Sequence, residues 1–147
     1  MCDVDVDKGV YCLLIRVSKD VSIVVGALGS IDFKKGYYVY VGSALGVLSK
    51  RIDRHLSLDK KKHWHVDYLL LDDNVDVCNV VYTQCTSKIE CQVSVLIDKT
   101  ANGSISGFGC SDCGCVSHLY YFEDYDDAFV SCCGSFRLLG YGVLERC

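Results

Sequence analysis

A strand-like segment that leads directly into a basic helix constrains the fold of this chain more than any other feature. Residues 36–42 are rich in tyrosine and valine, which favour extended structure, and they end at a glycine turn. Over residues 45–58 apolar side chains, beginning with Leu45, recur at helical spacing, with polar and basic residues between them. Arg51 and His55 are four residues apart and therefore share one helix face. The pattern predicts a corner where a phenol, a guanidinium and an imidazole meet.

Extended and helical patterns alternate along the rest of the chain. Two strands are predicted over residues 9–17 and 21–28, and the first three strands are joined by short turns. Ser87 resembles a helix N-cap, with Glu90 as its capping-box partner. The remaining predictions are helices at 64–71, 87–97 and 125–132, strands at 75–83, 117–122 and 136–144, and a glycine-rich loop at 100–115. Short connections favour an α+β domain with an antiparallel or mixed sheet flanked by helices.

The charge distribution predicts a binding surface for a polyanion. The whole chain carries a net charge of −4, yet residues 50–65, here called the basic segment, sum to +4, and the rest carries −8. A local positive surface on an acidic protein can hold nucleic acid while the remainder keeps the protein dispersed. The alternative is that the lysines form an ordinary solvated face. The basic segment contains Lys50, Arg51, Arg54, Lys60, Lys61 and Lys62, together with His63 and His65.

Cysteine usage predicts a reducing compartment. The chain has eleven cysteines, an odd number, and its first residues lack a basic start and an apolar stretch, so we expect reduced thiols in the cytoplasm. The longest apolar runs are too short for a membrane span. Four cysteines lie within apolar patterns and are interpreted as small core residues: Cys12, Cys78, Cys85 and Cys91.

A compact group of soft metal ligands follows later in the chain. Cys110, Cys113, Cys115 and His118 lie within nine residues and are sufficient in number and kind for tetrahedral zinc. A single short turn would have to wrap all four around one ion, so zinc is a possible but not a favoured interpretation. The favoured alternative is a loop of reduced thiols. A third is that Cys113 and His118, with Asp112, line a catalytic cleft.

Two tyrosine motifs carry a resemblance to a known family. Gly9-Val10-Tyr11 begins the first strand and Tyr40-Val41-Gly42 ends the third; Arg51, His55 and Glu90 follow in order. On these residues the chain resembles the GIY-YIG nuclease superfamily. The segments His63-Trp64-His65-Val66-Asp67-Tyr68 and Phe108-Gly109-Cys110-Ser111-Asp112-Cys113 look like an archaeal branch that is also found attached to endonuclease III-type DNA-repair glycosylases. The resemblance implies one domain over residues 1–147, with a core at about 9–122 and a C-terminal extension at 123–147.

The resemblance implies a metal-dependent endonuclease that hydrolyses DNA phosphodiester bonds, in DNA repair or processing. Glu90 would bind Mg²⁺ or Mn²⁺, and Arg51 would hold the phosphate. Tyr11 would take a proton from the attacking water, with Tyr40 and His55 as its hydrogen-bonding partners; His55 is the alternative base. The expected partner is nucleic acid, DNA in particular, and not a membrane. Contacts to it are predicted from Lys50, Arg54, Lys60, Lys61, Lys62, His63 and His65.

Two other classes of function stay open at this point. One is a nucleic-acid-binding module without turnover, and the other is a zinc-binding structural or interaction domain. Each predicted catalytic residue also has an ordinary structural role, such as a strand tyrosine in the core. The extra segment 21–28 must fold outside the pair of tyrosine-bearing strands for Tyr11 and Tyr40 to meet. The nuclease interpretation further requires that Glu90 lie beside Tyr11 and Arg51.

Overall fold

A computed structural model describes residues 7–44, 46–110 and 113–146. Leu45, Ser111 and Asp112, which the sequence analysis singled out, lie outside the described residues. Within those ranges the α-helices are α1 (Leu48–Leu56), α2 (His65–Leu70), α3 (Glu90–Asp98) and α4 (Tyr125–Leu138). The strands are β1 (Gly9–Val17), β2 (Val21–Val24), β3 (Ser30–Phe33), β4 (Gly36–Ala44), β5 (Val75–Gln84), β6 (Gly103–Ser104), β7 (Leu119–Phe122) and β8 (Leu144–Arg146).

The main sheet has six strands in the order β6-β7-β4-β1-β5-β8, and every neighbouring pair is antiparallel. The predicted α+β class with an antiparallel sheet flanked by helices is therefore confirmed. Strands β2 and β3 form a separate two-stranded sheet. Because this hairpin stays out of the main sheet, β1 and β4 pair directly along their length.

Both faces of the sheet are covered, since alternate side chains of the central strand β1 point into two different cores. Tyr11, Leu13 and Ile15 pack with residues of α1, α2 and the hairpin. Val10 and Cys12, with Leu14, pack instead with residues of α3 and α4. The domain is thus a sheet between two helical layers. None of the described helices combines the length and the apolar character needed to cross a membrane.

The register places the two motif tyrosines on one face. Tyr11 lies opposite Gly42, and Leu13 lies opposite Tyr40. Residues two apart on a strand share a face, so Tyr11 and Tyr40 are diagonal neighbours. A Cβ atom on Gly42 would lie only 2.5 Å from the Tyr11 ring, so the missing side chain at Gly42 makes room for that ring.

The C-terminal part of the chain differs from its prediction. The closing strand predicted at 136–144 is wrong, because α4 continues to Leu138 and the last strand begins at Leu144. Ala128, Cys132 and Phe136 are all buried and four residues apart, and this helical period extends α4 beyond the predicted end. The strand β8 pairs with β5, so the predicted extension is part of the sheet.

Two further predictions are corrected near the site. The strand predicted over 21–28 ends at Val24, and a 3-10 turn (Gly26–Leu28) follows before β3, which was not predicted. The capping box at Ser87 is also wrong. Helix α3 begins at Glu90 with Ile89 as its N-cap, and no side chain caps it. The Glu90 carboxylate is therefore available for other contacts.

Candidate active site

A cleft of about 310 Å³ opens at the corner formed by the start of β1, the C-terminal end of β4 and the start of α3. Six of the predicted site residues line it, although up to 79 positions separate them in the sequence. These residues are Tyr11, Tyr40, Arg51, His63, His65 and Glu90. Ser43, Trp64 and the backbone of Gly42 and Gly109 complete the walls.

A buried phenol–imidazole pair forms one wall. The hydroxyl of Tyr11 lies 2.7 Å from Nε2 of His55, a hydrogen bond between two side chains that are each only 2% exposed. Burial, helped by the charge of Lys60, lowers the pKa of His55 to about 3. Burial also raises the pKa of Tyr11 well above 10, although the guanidinium of Arg51 opposes the rise. Both groups are therefore neutral near pH 7.

His55 lies behind Tyr11 and is not among the residues that line the cleft. Its Nδ1 atom is buried and has no hydrogen-bond partner among the described residues. Its hydrogen bond to a described side chain is the one to Tyr11. The structure therefore places His55 as a hydrogen-bonding partner of Tyr11, and its alternative role as the base stays a prediction.

Tyr40 packs beside this pair. Its ring centroid lies 6.1 Å from that of His55 and 6.2 Å from that of Phe108. Burial raises the pKa of Tyr40 well above 10. Gly109 passes so close that a Cβ atom there would lie 2.9 Å from the ring of Tyr40. The loop after β6 thus presses against the tyrosine and closes that side of the cleft.

Arg51 presents a fixed cation to the cleft. Its Nη1 atom donates to the carbonyl oxygen of Ser43 at 3.0 Å, and its guanidinium carbon lies 4.7 Å from the centroid of Trp64. Stacking on an aromatic face together with a hydrogen bond holds the planar group in one orientation. The remaining N–H donors can serve an anionic ligand.

Arg54 was predicted to contact substrate, but in the structure its guanidinium pairs with a carboxylate of the protein. Two of its nitrogens donate to the two carboxylate oxygens of Asp67, at 3.1 and 3.0 Å. Asp67 also accepts from the backbone N–H groups of His63 and Trp64. Burial alone would raise the pKa of Asp67, but these hydrogen bonds outweigh it and the pKa is lowered. Arg54 therefore anchors the wall that carries Trp64 and is no free phosphate ligand.

The predicted basic segment divides into two parts. The ammonium of Lys60 donates to the carbonyl oxygens of His55 and Arg54, at 2.9 and 3.3 Å, and so caps the C-terminal end of α1. The side chains of three other lysines stay exposed: Lys50, Lys61 and Lys62. These three lysines keep the surface position from which a cation can attract a polyanion.

The two histidines at the rim differ in their surroundings. His65 accepts at Nδ1 from the N–H of Gly109 at 2.9 Å, so a neutral His65 carries its proton on Nε2. His63 is exposed, and its ring centroid lies 4.9 Å from that of Trp64. Both side chains line the cleft, and their contact with substrate stays a prediction.

Glu90 reaches the same cleft from the helical layer on the other face of the sheet. It is the first residue of α3, and it lines the cleft together with Gly42 and Ser43 of β4. The hydroxyl of Ser43 donates to Oε2 of Glu90 at 3.0 Å, and Oε1 lies 3.4 Å from Nδ1 of His118. The Glu90 side chain is 30% exposed. The requirement that Glu90 lie beside Tyr11 and Arg51 is met.

A second group of chemically active side chains lies directly behind Glu90. Cys91, Cys113, Cys115 and His118 bring their ligand atoms within 4.8 Å of one another. This set, here called the Cys/His cluster, differs from the predicted one. Cys91 takes part in place of Cys110, whose thiol is buried and donates to the carbonyl oxygen of Val116 at 3.6 Å. Cys91, interpreted from the sequence as a core residue, is exposed.

The sequence analysis missed four residues that shape the site. Ser43 donates a hydrogen bond to Glu90, and Asp67 pairs with Arg54. Trp64 stacks against Arg51, and Cys91 belongs to the Cys/His cluster. Ser43 directly follows the second tyrosine motif, and that position is a signal that could have identified it. Cys91 directly follows Glu90, but no local spacing connects it with Cys113, because a strand and a loop lie between them.

Comparison with known proteins identifies the family. No curated protein and no solved structure matches the chain. A family model described as "Domain of unknown function DUF123" matches residues 10–140, a stretch that includes every residue of the cleft and of the Cys/His cluster. Since the match extends over most of its length, the chain belongs to the DUF123 family.

Proposed function

We propose that this protein is a metal-dependent endonuclease of the GIY-YIG type that hydrolyses DNA phosphodiester bonds, in DNA repair or processing. One observation carries the proposal: Tyr11, Arg51 and Glu90, three residues far apart in the sequence, line the same cleft. A phenol, a guanidinium and a carboxylate together can position water, hold a phosphate and bind a divalent cation. A core role alone would not require the three to share a water-accessible cavity.

Arg51 is the phosphate-binding group in this proposal. Hydrogen bonding to Ser43 and stacking on Trp64 orient its guanidinium before substrate arrives. A preorganised cation stabilises the charge that develops on the phosphoryl oxygens in the transition state. His65 and the exposed His63 add donors at the rim of the same cleft. The surface lysines Lys50, Lys61 and Lys62 would attract the DNA backbone at longer range.

Glu90 is the residue that would hold Mg²⁺ or Mn²⁺. Its partly exposed carboxylate and the adjacent Ser43 hydroxyl offer oxygen ligands at an open cleft. This donor set suits Mg²⁺, which commonly takes one or two carboxylates and keeps several waters. When bound, the cation supplies Lewis-acid neutralisation of phosphoryl charge.

Tyr11 handles the proton of the attacking water. The neutral His55 behind it can receive the hydroxyl proton of Tyr11 at Nε2 while the phenolic oxygen accepts a proton from water. Burial makes the resulting imidazolium costly in the empty cleft, because the pKa of His55 is lowered to about 3. An anionic phosphate in the cleft offsets part of that cost, so the relay operates with substrate bound.

The thiols of the chain indicate the compartment in which the protein works. We place the reaction in the cytoplasm, because a chain with eleven cysteines and a cluster of three neighbouring thiols keeps them reduced there.

Cleavage of defined DNA substrates tests the proposal. Plain, branched and damaged duplexes, with RNA counterparts, are incubated with the protein and Mg²⁺ or Mn²⁺. We expect wild-type protein to cut at least one DNA, and Arg51→Ala or Glu90→Gln to lower the rate by about 10²–10³-fold. Arg137→Ala and Glu123→Gln, exposed positions away from the cleft, are matched controls that should keep the wild-type rate.

Three outcomes would contradict the proposal. If the protein binds DNA but cuts none of the substrates with any divalent ion, it is a binding module without turnover. If Arg51→Ala and Glu90→Gln cut as fast as wild type while circular dichroism shows all variants folded, the cleft is not the catalytic site. Cleavage of the RNA substrates alone would overturn the assignment to DNA.

A further inference from the structure

The Cys/His cluster behind Glu90 is a group of potential metal ligands, among the described residues, that the proposed reaction does not use. Its four ligand atoms all lie within 4.8 Å of one another, and Nε2 of His118 is 3.5 Å from Sγ of Cys113. In tetrahedral zinc sites, bonds of about 2.0–2.3 Å place the ligand atoms roughly 3.3–3.8 Å apart. A shortening of the longest distance between ligand atoms by about 1–2 Å would therefore bring all four ligands onto one ion.

From these contacts we infer that Cys91, Cys113, Cys115 and His118 bind one zinc ion. Three thiolates and an imidazole are a donor set that zinc prefers and that Mg²⁺ avoids. All four ligands come from the protein, which is typical of closed structural zinc sites. The sequence alone did not favour zinc because the local set Cys110 to His118 had to wrap one ion in a single turn. The helix residue Cys91 removes that difficulty by supplying a ligand from a different element.

His118 provides an independent indication of a metal ion. Its side chain is only 2% exposed. Its buried Nδ1 atom has no hydrogen-bond partner of normal geometry among the described residues. The nearest acceptor is Oε1 of Glu90 at 3.4 Å. A histidine that binds zinc through Nε2 carries its proton on Nδ1 and usually donates it to a carboxylate. The buried ring is thus oriented with one nitrogen toward the thiols and the other toward Glu90.

The zinc ion would act as a clamp that positions Glu90. Cys91 is the residue next to Glu90 at the start of α3, and His118 contacts the Glu90 carboxylate itself. Zinc binding therefore fixes both the backbone beside Glu90 and one of its oxygens, and leaves the other oxygen on the Ser43 side facing the cleft. This inference concerns a second metal site and does not depend on nuclease activity.

Metal analysis of the untagged protein, prepared with reductant and zinc and then passed through a desalting column, tests the site. We expect about one zinc per chain in wild type. The values for Cys91→Ser and Cys113→Ser should fall to a small fraction of that. Cys110→Ser and Cys78→Ser are matched controls that should keep the wild-type content, because neither thiol belongs to the cluster. Zinc-free wild type, or loss of zinc in Cys110→Ser with retention in Cys91→Ser, would overturn the inference.

Two further measurements keep the test decisive if a serine variant fails to fold. Titration of metal-free wild type with Co²⁺ should produce the intense visible bands of tetrahedral cobalt and the charge-transfer bands of thiolate ligands; weak octahedral bands would overturn the site. Glu90→Gln should still bind zinc, with an affinity lowered about 10–100-fold in competition with a chromophoric chelator. Unchanged zinc affinity in Glu90→Gln would overturn the link between the clamp and Glu90, and this outcome is independent of any cleavage result.

Discussion

Acid should destabilise this protein through His55, and the size of the effect can be worked out from the buried pair it forms with Tyr11. Burial lowers the pKa of His55 from 6.5 to about 3, so the folded protein excludes a proton that the unfolded chain binds below pH 6.5. Stability from this group is therefore complete above pH 6.5 and is lost as pH falls toward 3. Each pH unit in that window costs about 1.4 kcal/mol. Between about pH 6.5 and 4.5 the loss is roughly 2 kcal/mol.

The assay is urea unfolding of wild type and His55→Gln at several pH values across this window. The variant is expected to be less stable at pH 7, but its free energy of unfolding should fall about 2 kcal/mol less than that of wild type over the two units. Other acid-sensitive features, such as the Arg54–Asp67 ion pair, are present in both proteins and cancel in the difference. His63→Gln, which changes an exposed histidine, should reproduce the wild-type curve. Parallel curves for wild type and His55→Gln would refute the reasoning.

Two other predictions concern the walls and the surface of the cleft. Gly42→Ala places a Cβ atom 2.5 Å from the ring of Tyr11. We therefore expect the free energy of unfolding in urea to fall by about 1–3 kcal/mol and DNA cleavage to be slower. Wild-type values for both would show that the ring moves without cost. The double variant Lys61→Ala, Lys62→Ala should weaken DNA binding and make its dependence on salt less steep, by about 0.9 in the log–log slope for each phosphate that the variant no longer neutralises. Lys60→Ala should instead lower the free energy of unfolding, because the Lys60 ammonium caps α1. If Lys60→Ala weakened DNA binding more than the double variant does, the assignment of Lys60 to the helix cap and of Lys61 and Lys62 to DNA would be contradicted.

The elements themselves were largely predictable because each is encoded by a local pattern. A nearly continuous apolar run marked β1 over residues 9–17 with its observed bounds, and helical spacing marked α1. Short turns between the first strands favoured an antiparallel or mixed sheet, but the observed pairing joins β1 to β4 across the separate hairpin. That pairing in turn puts Tyr11 and Tyr40 on one face. The end of α4 was missed because a short helical segment and a strand can have similar apolar content over a window such as residues 133–138.

The partners of the charged and metal-binding side chains were decided only by the tertiary structure. Lys60 and Arg54 were predicted to face substrate, yet one caps α1 and the other pairs with Asp67. Cys91 replaced Cys110 in the cluster through packing of α3 against the loop before β7. These contacts join residues 5 to 27 positions apart, and no periodic pattern connects them.

The amino-acid sequence by itself determined most of the local elements, the α+β class and the candidate residues Tyr11, Arg51 and Glu90. Periodicity and turn chemistry act over a few residues, so they specify where strands and helices form and which face each side chain occupies. The assembly of those residues at one cleft, with the Cys/His cluster behind Glu90, depends on how two helical layers pack on opposite faces of the sheet. Packing is a cooperative property of the whole chain, and for that reason only the folded structure decided which side chains meet.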